Sequence, residues 1–481
     1  MSVSSTKAMT GHCLGAAGAI EAVFSIKALT TDTVIPTLGY SEEDKEAVKE
    51  KAGKLDFVQN VPHAKELKSV MSNSFAFGGN NASIIFSKDK GDVKSHNSKA
   101  RIAVTGMGIV NAFGNTKDAY LNTVKTDAKP QSSSIHSTVT DADYKDLGLK
   151  MAFYRKLDNF SQIQAVSGMY ALKDANITVS DDNAKDIGCI VGTSEGALGS
   201  TYDFESLIAE GGNSKGSAFK FPHTVYNAAG GYLSICSGLK GYSATVTSGP
   251  VSGLTSIAYS MNVIRDGQAK VMMATGNDEN IPEINGLFEQ LGFVSKEVVA
   301  PYSSSDGFVL GDASTSLMLE DEDYAKNRGA KVYCYVLGYG HGRKNVKFGK
   351  LSGSESALEL ALNDALNDAG VKADEIDAIF GFANGMKAVD SIETGCYPKM
   401  FANVPVVAVK ERVGEGRAGA ATLQAAHAAL MLNGDIEKDN AYILSSDGSA
   451  KRTTVESKNL KKVLVVSYAT GGSYSAVVLS K

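Results

Sequence analysis

The chain has 481 residues, 43% hydrophobic and 21% charged, with a formal net charge of −5. Such a composition fits a folded protein of two or more domains and excludes wholesale disorder and the basic footprint of a nucleic-acid binder. Five cysteines (Cys13, Cys189, Cys236, Cys334, Cys396) without paired spacing, and an N-terminus lacking a basic and apolar leader, lead to the expectation of a reducing, cytoplasmic setting.

In chain order, residues 1–88 predict a Gly/Ala-rich helix over 15–30, a charged helix over 41–53, and strands at Lys68–Ser74 and Asn81–Ser87 joined by a Gly-Gly turn. Two apolar strands alone make a poor sheet, so completion by other strands is expected. Residues 89–100, DKGDVKSHNSKA, are polar and aperiodic and read as a linker. After it, the strand RIAVTGMGIV opens an alternation of apolar runs with helical periods: IGCIVGT, VMMATGN, ASTSLMLED, VYCYVLGYG and AIFGFAN. That alternation predicts α/β layers around a largely buried sheet. Apolar stretches such as CLGAAGAIEAVF are broken by Glu or Lys short of the roughly 20 residues of a membrane span, so no membrane segment is expected.

One segment occurs twice. SSTKAMTGHCLGAAGAIEA (Ser4 to Ala22) with SNSFAFGGNNASIIFSK (Ser72 to Lys88) returns near the end as AVKERVGEGRAGAATLQAA and VSYATGGSYSAVVLSK. Lys7 maps onto Lys410, Gly11 onto Gly414, and Gly78-Gly79 onto Gly471-Gly472, but His12 maps onto Glu415 and Phe77 onto Thr470.

Together TGMGIV, VGTSEG, FPHTVYNAAGGYLSI, DGFVLGD, VKERVGEG and the final strand-GG-strand resemble the β-ketoacyl synthases of the thiolase superfamily. The resemblance implies an α/β, αβαβα layered fold of two similar halves, 101–325 and 326–481, preceded in 1–88 by a partial copy of the C-terminal half. It also implies dimerisation through strands near the nucleophile, no cofactor, and substrates carried as acyl carrier protein thioesters. Chemistry in this family needs a thiolate at the tip of a buried helix, where the helix dipole and free N–H groups stabilise it. It needs two imidazoles on the thioester carbonyl as the enolate forms, and a Lys that positions the site.

The partial copy keeps the Lys-x-x-x-Gly-His motif as Lys7 to His12 and the gating turn as Phe77-Gly78-Gly79, but has no nucleophile motif; Cys13 reads as a core cysteine. In the full copy Pro250 stands at the nucleophile position, which lacks both a reactive atom and an N–H. It suits the first turn of a helix whose Val251, Leu254, Ile257, Ala258, Met261 and Ile264 recur at spacings of three and four and which stops at Gly267. Asn384 replaces one imidazole and Glu415 the other, beside the retained Lys410; Thr470, Gly471 and Gly472 form the turn. A carboxylate at position 415 opposes the negative charge that condensation builds.

Other groups take bland readings: Ser248 and Ser252 as turn or N-cap residues, His427 as a packed core histidine, His223 and His341 as turn residues. GTSEG matches no nucleotide fingerprint and nothing has metal-ligand spacing. Three functions then compete. The first is a chain length factor, as in type II polyketide synthases, fused to the tail of its ketosynthase. The second is an active synthase of fatty acid or polyketide synthesis with a site split between Lys7-His12 and another chain. The third is a non-catalytic scaffold for acyl carrier protein. Expected partners are an active ketosynthase as heterodimer, or a second copy, and acyl carrier protein, with neither nucleic acid nor membrane. Residues 1–88, lacking their N-terminal half, are expected to depend on a partner.

Overall fold

The computed structural model describes residues 1–76, 79–91, 100–130, 134–295, 300–303, 306–347 and 353–481. The chain divides into two compact units, Met1–Ser95 and His96–Lys481. Phe77, Gly78 and most of the expected linker lie outside the described residues.

In the first unit a short helix α1 (Lys7–Thr10) turns through a 3-10 segment, Leu14–Ala16, into α2 (Ala17–Thr31). The charged helix α3 is Glu42–Lys51. Its start is fixed by a capping box between Ser41 and Asp44, and acidic residues in its first turn and lysines in its last suit the helix dipole. Strands β1 (Ser69–Phe75) and β2 (Asn81–Ser87) pair as an antiparallel hairpin, and α2 meets β1 at Gly18, where a Cβ would strike Ser74. The hairpin is a sheet of its own.

Contrary to the expectation from sequence, Leu14–Thr31 is long and apolar enough, by length and composition, to cross a membrane. Its counterpart in the second unit, Arg417–Asn433, is buried within protein from Arg417 to Leu432. A core helix needs the same apolar character, so composition alone does not mark a span here.

The second unit is built on one twelve-stranded sheet. Its strands are β3 (Ile102–Asn111), β4 (Ile187–Thr193), β5 (Ser243–Thr247), β6 (Val271–Asp278), β7 (Ala313–Asp321), β8 (Cys334–Arg343), β9 (Ala378–Phe380), β10 (Val406–Val407), β11 (Lys438–Leu444), β12 (Ala450–Glu456), β13 (Lys462–Ala469) and β14 (Ser473–Ser480). The spatial order is β5-β4-β6-β7-β3-β8-β14-β13-β9-β10-β11-β12. Two halves repeat one topology: β3, β4, β5, β6, β7 and β8, β9, β10, β13, β14 are each arranged as third, second, fourth, fifth, first. Within each half the third, second and fourth strands run parallel and the fifth is antiparallel to its neighbours. The halves meet where Cys334 to Val336 of β8 pair with Val104 to Ile102 of β3.

Glycines at every second position let helices lie close on the first strand of each half. Gly106 and Gly108 of β3 face helix α4 (Asn159–Asp174) at Ser167 and Ala171; Gly338, Gly340 and Gly342 of β8 face α6 (Glu355–Ala369) at Ala357, Ala361 and Ala365. A side chain at any of them would collide with helix backbone. Two further helices, α5 (Ser252–Arg265) and α9 (Arg417–Asn433), form the buried middle layer and touch where Gly253 faces Ala418 and Thr422. This is the layered thiolase-like α/β fold.

Candidate functional site

Three chain segments matter here: the turn before α5, whose Gly253 then packs on α9, and the loop after β9, which meets the turn between α8 (Lys410–Val413) and α9. These carry Pro250, Asn384, and Lys410 with Glu415.

Helix α5 starts at Ser252 with Val251 as N-cap, so Pro250 stands just outside it rather than in its first turn. Gly249 supplies the positive φ of 69° that turns the chain from β5, and a Cβ there would meet Ala469 at the end of β13. Ser252 uses its hydroxyl to accept the Ser248 N–H at 2.6 Å, a turn contact. The predicted apolar face of α5 is buried from Val251 to Ile264, and Gly267, φ 69°, follows its C-cap Asp266. Beside it, Gly471 and Gly472 link β13 to β14 at φ 108° and 89°; Gly472 accepts the Lys344 N–H through its carbonyl at 3.0 Å, while Thr470 and Gly471 are exposed.

Asn384, Lys410 and Glu415 form one buried network. The Lys410 ammonium is 2.8 Å from Glu415 Oε2 and 3.3 Å from the centre of the Phe382 ring. Asn384 Nδ2 donates to the same oxygen at 3.1 Å, and Glu415 Oε1 accepts the Arg417 N–H at 2.9 Å. Asn384 in turn accepts the Met386 N–H at 3.1 Å. Burial pulls the Lys410 pKa below its ordinary value, and Glu415 opposes this. A buried, paired carboxylate hydrogen-bonded by Lys410, Asn384 and the Arg417 N–H therefore stands at position 415, the counterpart of His12. It accepts hydrogen bonds; condensation requires donors.

Residues that sequence reasoning passed over hold this arrangement. Glu393 accepts the N–H groups of Phe382 (2.7 Å) and Ala383 (3.1 Å) and the hydroxyls of Tyr302 (2.6 Å) and Tyr397 (2.7 Å), fixing the Asn384 loop, in which Ala383 has φ 39°. Asp278 accepts the Thr193 hydroxyl and the N–H groups of Ser194, Glu195 and Ala418. The N–H groups of the GTSEG turn are thus turned onto a protein carboxylate, which explains why that turn is no phosphate cradle. Arg417, nearly fully buried, sets its Nε 2.9 Å from Glu195 and donates to the Glu279 carbonyl. Glu195 and Asp312 lay within motifs visible in the sequence, whereas Glu393 carried no periodic signal.

His427 is a core residue, held by Tyr120 at 2.7 Å and Asp439 at 2.9 Å. His223 ends a 3-10 turn and meets the Tyr232 hydroxyl at 3.3 Å. His341 departs from the turn expected of it: it lies inside β8, 3.2 Å from Ser475, because the glycines around it serve helix packing rather than chain reversal.

The first unit repeats the backbone without the surroundings. Gly11 and Gly414 have φ 70° and 76°, and Leu14 and Arg417 have φ 49° and 50°. Lys7, however, pairs with Glu21 of α2. In the second unit position 21 is Gln424, and the lysine's carboxylate sits at the histidine position as Glu415. The negative charge has moved from helix to turn. His12 is exposed, and its Nδ1 accepts the Leu14 N–H at 3.1 Å, which assigns the ring proton to Nε2. Cys13 is partly exposed, its thiol on the Thr10 carbonyl at 3.5 Å, and so is not the core cysteine expected, because little among the described residues covers the turn. Among the described residues no cluster of three His, Cys, Asp or Glu could hold a metal ion.

Comparisons with known proteins agree with this architecture. The "Beta-ketoacyl synthase, N-terminal domain" model matches residues 125–325, and the "Beta-ketoacyl synthase, C-terminal domain" model matches both 1–41 and 333–440. A 3-oxoacyl-[acyl-carrier-protein] synthase 2 of Vibrio cholerae is 30% identical over 314 residues, covering 62% of this chain and 76% of that protein. The tetracenomycin polyketide synthase ketoacyl synthase alpha subunit of Streptomyces glaucescens is 26% identical over 424 residues, 80% of this chain and 98% of that protein. Among solved structures, the ishigamide ketosynthase/chain length factor superposes with a TM-score of 0.70 at 20% identity, covering 80% of this chain and all (100%) of that one. The chain belongs to the β-ketoacyl synthase family of fatty acid and polyketide biosynthesis.

Proposed function

We propose that residues 101–481 act as a chain-length-factor-like subunit, shaping acyl-chain elongation beside an active ketosynthase without condensing thioesters themselves. The observation that carries this reading is the Lys410–Glu415–Asn384 network: a buried carboxylate, already holding three donors, where an enolate would have to form. Pro250 adds a second, independent loss, having neither nucleophile nor N–H for an oxyanion.

An open sheet edge supports pairing with a partner on this side. β5, which leads into Pro250, is the edge strand of the sheet, and Tyr226, Ile235, Tyr242 and Tyr259 are exposed large side chains of the same half. Solved relatives include a ketosynthase/chain length factor and a type II acyl carrier protein in complex with its ketosynthase. We carry both partners over to this chain as part of the proposal.

The names of the sequence relatives favour a second reading, an active synthase. Lys7 and His12 support it, since His12 presents Nε2–H as a donor in the manner that reaction uses. Assay of the full chain with acetyl- and malonyl-acyl carrier protein separates the two. We expect no β-ketoacyl product and no carbon dioxide above buffer. Adding the Streptomyces glaucescens alpha subunit should then yield products of narrowed length; binding without any change in length favours a bare scaffold.

A further inference from the structure

The two copies of the repeated segment differ in what covers them. In the first, Val23 is 61% exposed, Phe75 78% and Ile85 67%; their counterparts Ala426, Tyr468 and Val478 are 0%, 2% and 0% exposed. Met71 and Ile84 are likewise open where Leu464 and Val477 are sealed. The side chains are equally apolar, so the sequence of the first unit is written for burial that its own residues do not provide.

The second unit shows what provides it. There β14 pairs on its outer side with β8, and β13 with β9. Val478, Leu464 and Tyr468 cluster with Leu358, Leu362 and Leu366 of α6, while Val477 joins Ala426 and Ala429 of α9 with Leu254 and Ile257 of α5. In the first unit β1 and β2 pair only with each other, and both outer edges lack a strand among the described residues. The missing cover is thus the first strand, helix and second strand of a C-terminal half, together with the middle helix of an N-terminal half.

We infer that this face, spread over α2 and the β1–β2 hairpin, docks a ketosynthase-type polypeptide whose own last strand pair is absent, and that the first unit fills the vacancy. A polypeptide that already has its last strand pair offers no such vacancy, as β8 and β9, each paired on both sides, illustrate. Docking sets Lys7 and His12 at the place in that polypeptide that Lys410 and Glu415 hold here. The inference rests on the proposed role only in taking a ketosynthase as partner.

The probe is the Vibrio cholerae 3-oxoacyl-[acyl-carrier-protein] synthase 2 cut before the region equivalent to residues 403–481, co-expressed with the full chain. We expect the cut enzyme in a soluble equimolar complex held through this face, whereas uncut enzyme, whose place is filled, should be held only through the β5 edge and be insensitive to substitutions on this face. Phe75→Asp with Ile85→Asp in the full chain should lower recovery at least about tenfold, as loss of buried anchors does, with the chain's own melting unchanged. The inference is overturned if the cut enzyme is not recovered, or if the two substitutions leave its recovery unchanged. It is equally overturned if the same two substitutions instead abolish self-association or flotation with phosphatidylcholine vesicles. These outcomes are independent of the condensation assay, which uses the chain without this probe.

Discussion

α1–turn–α2 and α8–turn–α9 follow one backbone path, down to a glycine and a non-glycine residue with positive φ at matching positions. Yet one stands largely open and the other is sealed. Local sequence sets the turn; burial is set by what the rest of the chain supplies, and electrostatics follow burial. In the open copy Lys7, 38% exposed, needs little from Glu21, whereas in the closed copy Lys410, 1% exposed, must have a carboxylate, and Glu415 provides it.

Removing that carboxylate should affect the two copies very differently. Glu415→Gln strands a buried ammonium and should cost about 3–5 kcal/mol in chemical denaturation of the second unit. Glu21→Gln should cost under about 1 kcal/mol, the range of a solvent-screened pair. Equal losses would refute the contrast.

The relocated charge gives the next test. Glu415→His should be as damaging as Glu415→Gln, and adding Gln424→Glu should recover about 1–3 kcal/mol, the coupling expected of neighbours. Additive effects in a double-mutant cycle would mean that the two positions do not share Lys410. Smaller again are the apolar counterparts. Val478→Ala should cost about 2 kcal/mol and Ile85→Ala under about 0.5, since only the first opens a cavity.

The pH dependence is subtler. Burial, with Glu393 beside it, pushes Asp390 up to about 7, and burial near Asp158 pushes Glu279 to about 7. A carboxyl whose folded pKa is raised keeps its proton where the unfolded chain has lost it, so its stability is full below pH ~4 and drains away toward pH 7, by up to ~1.4 kcal/mol per unit for each group. Urea midpoints of the second unit should fall from pH 5 to 7, and Asp390→Asn should flatten the slope by one group's share.

Strand positions, the α5 face and the repeated turns were legible in the sequence because each is written in local periodicity or in glycine. Of the candidate residues, Asn384, Lys410 and Glu415, singled out against a motif, are joined by hydrogen bonds in the structure. Glu393, Asp278 and Arg417 were not legible, since a buried charge is recognised only by the partners that the fold brings to it. The same reason hid His341, whose flanking glycines look like a turn until α6 is seen against them.

On the function proposed above, the chain holds parts of two sites and no complete condensing site. Intact-mass measurement of the full chain after incubation with acetyl-acyl carrier protein tests it most directly. An unchanged mass is expected; a stable acyl adduct on any residue, whether Cys13, Ser248 or another, would show a working acyl-transfer site.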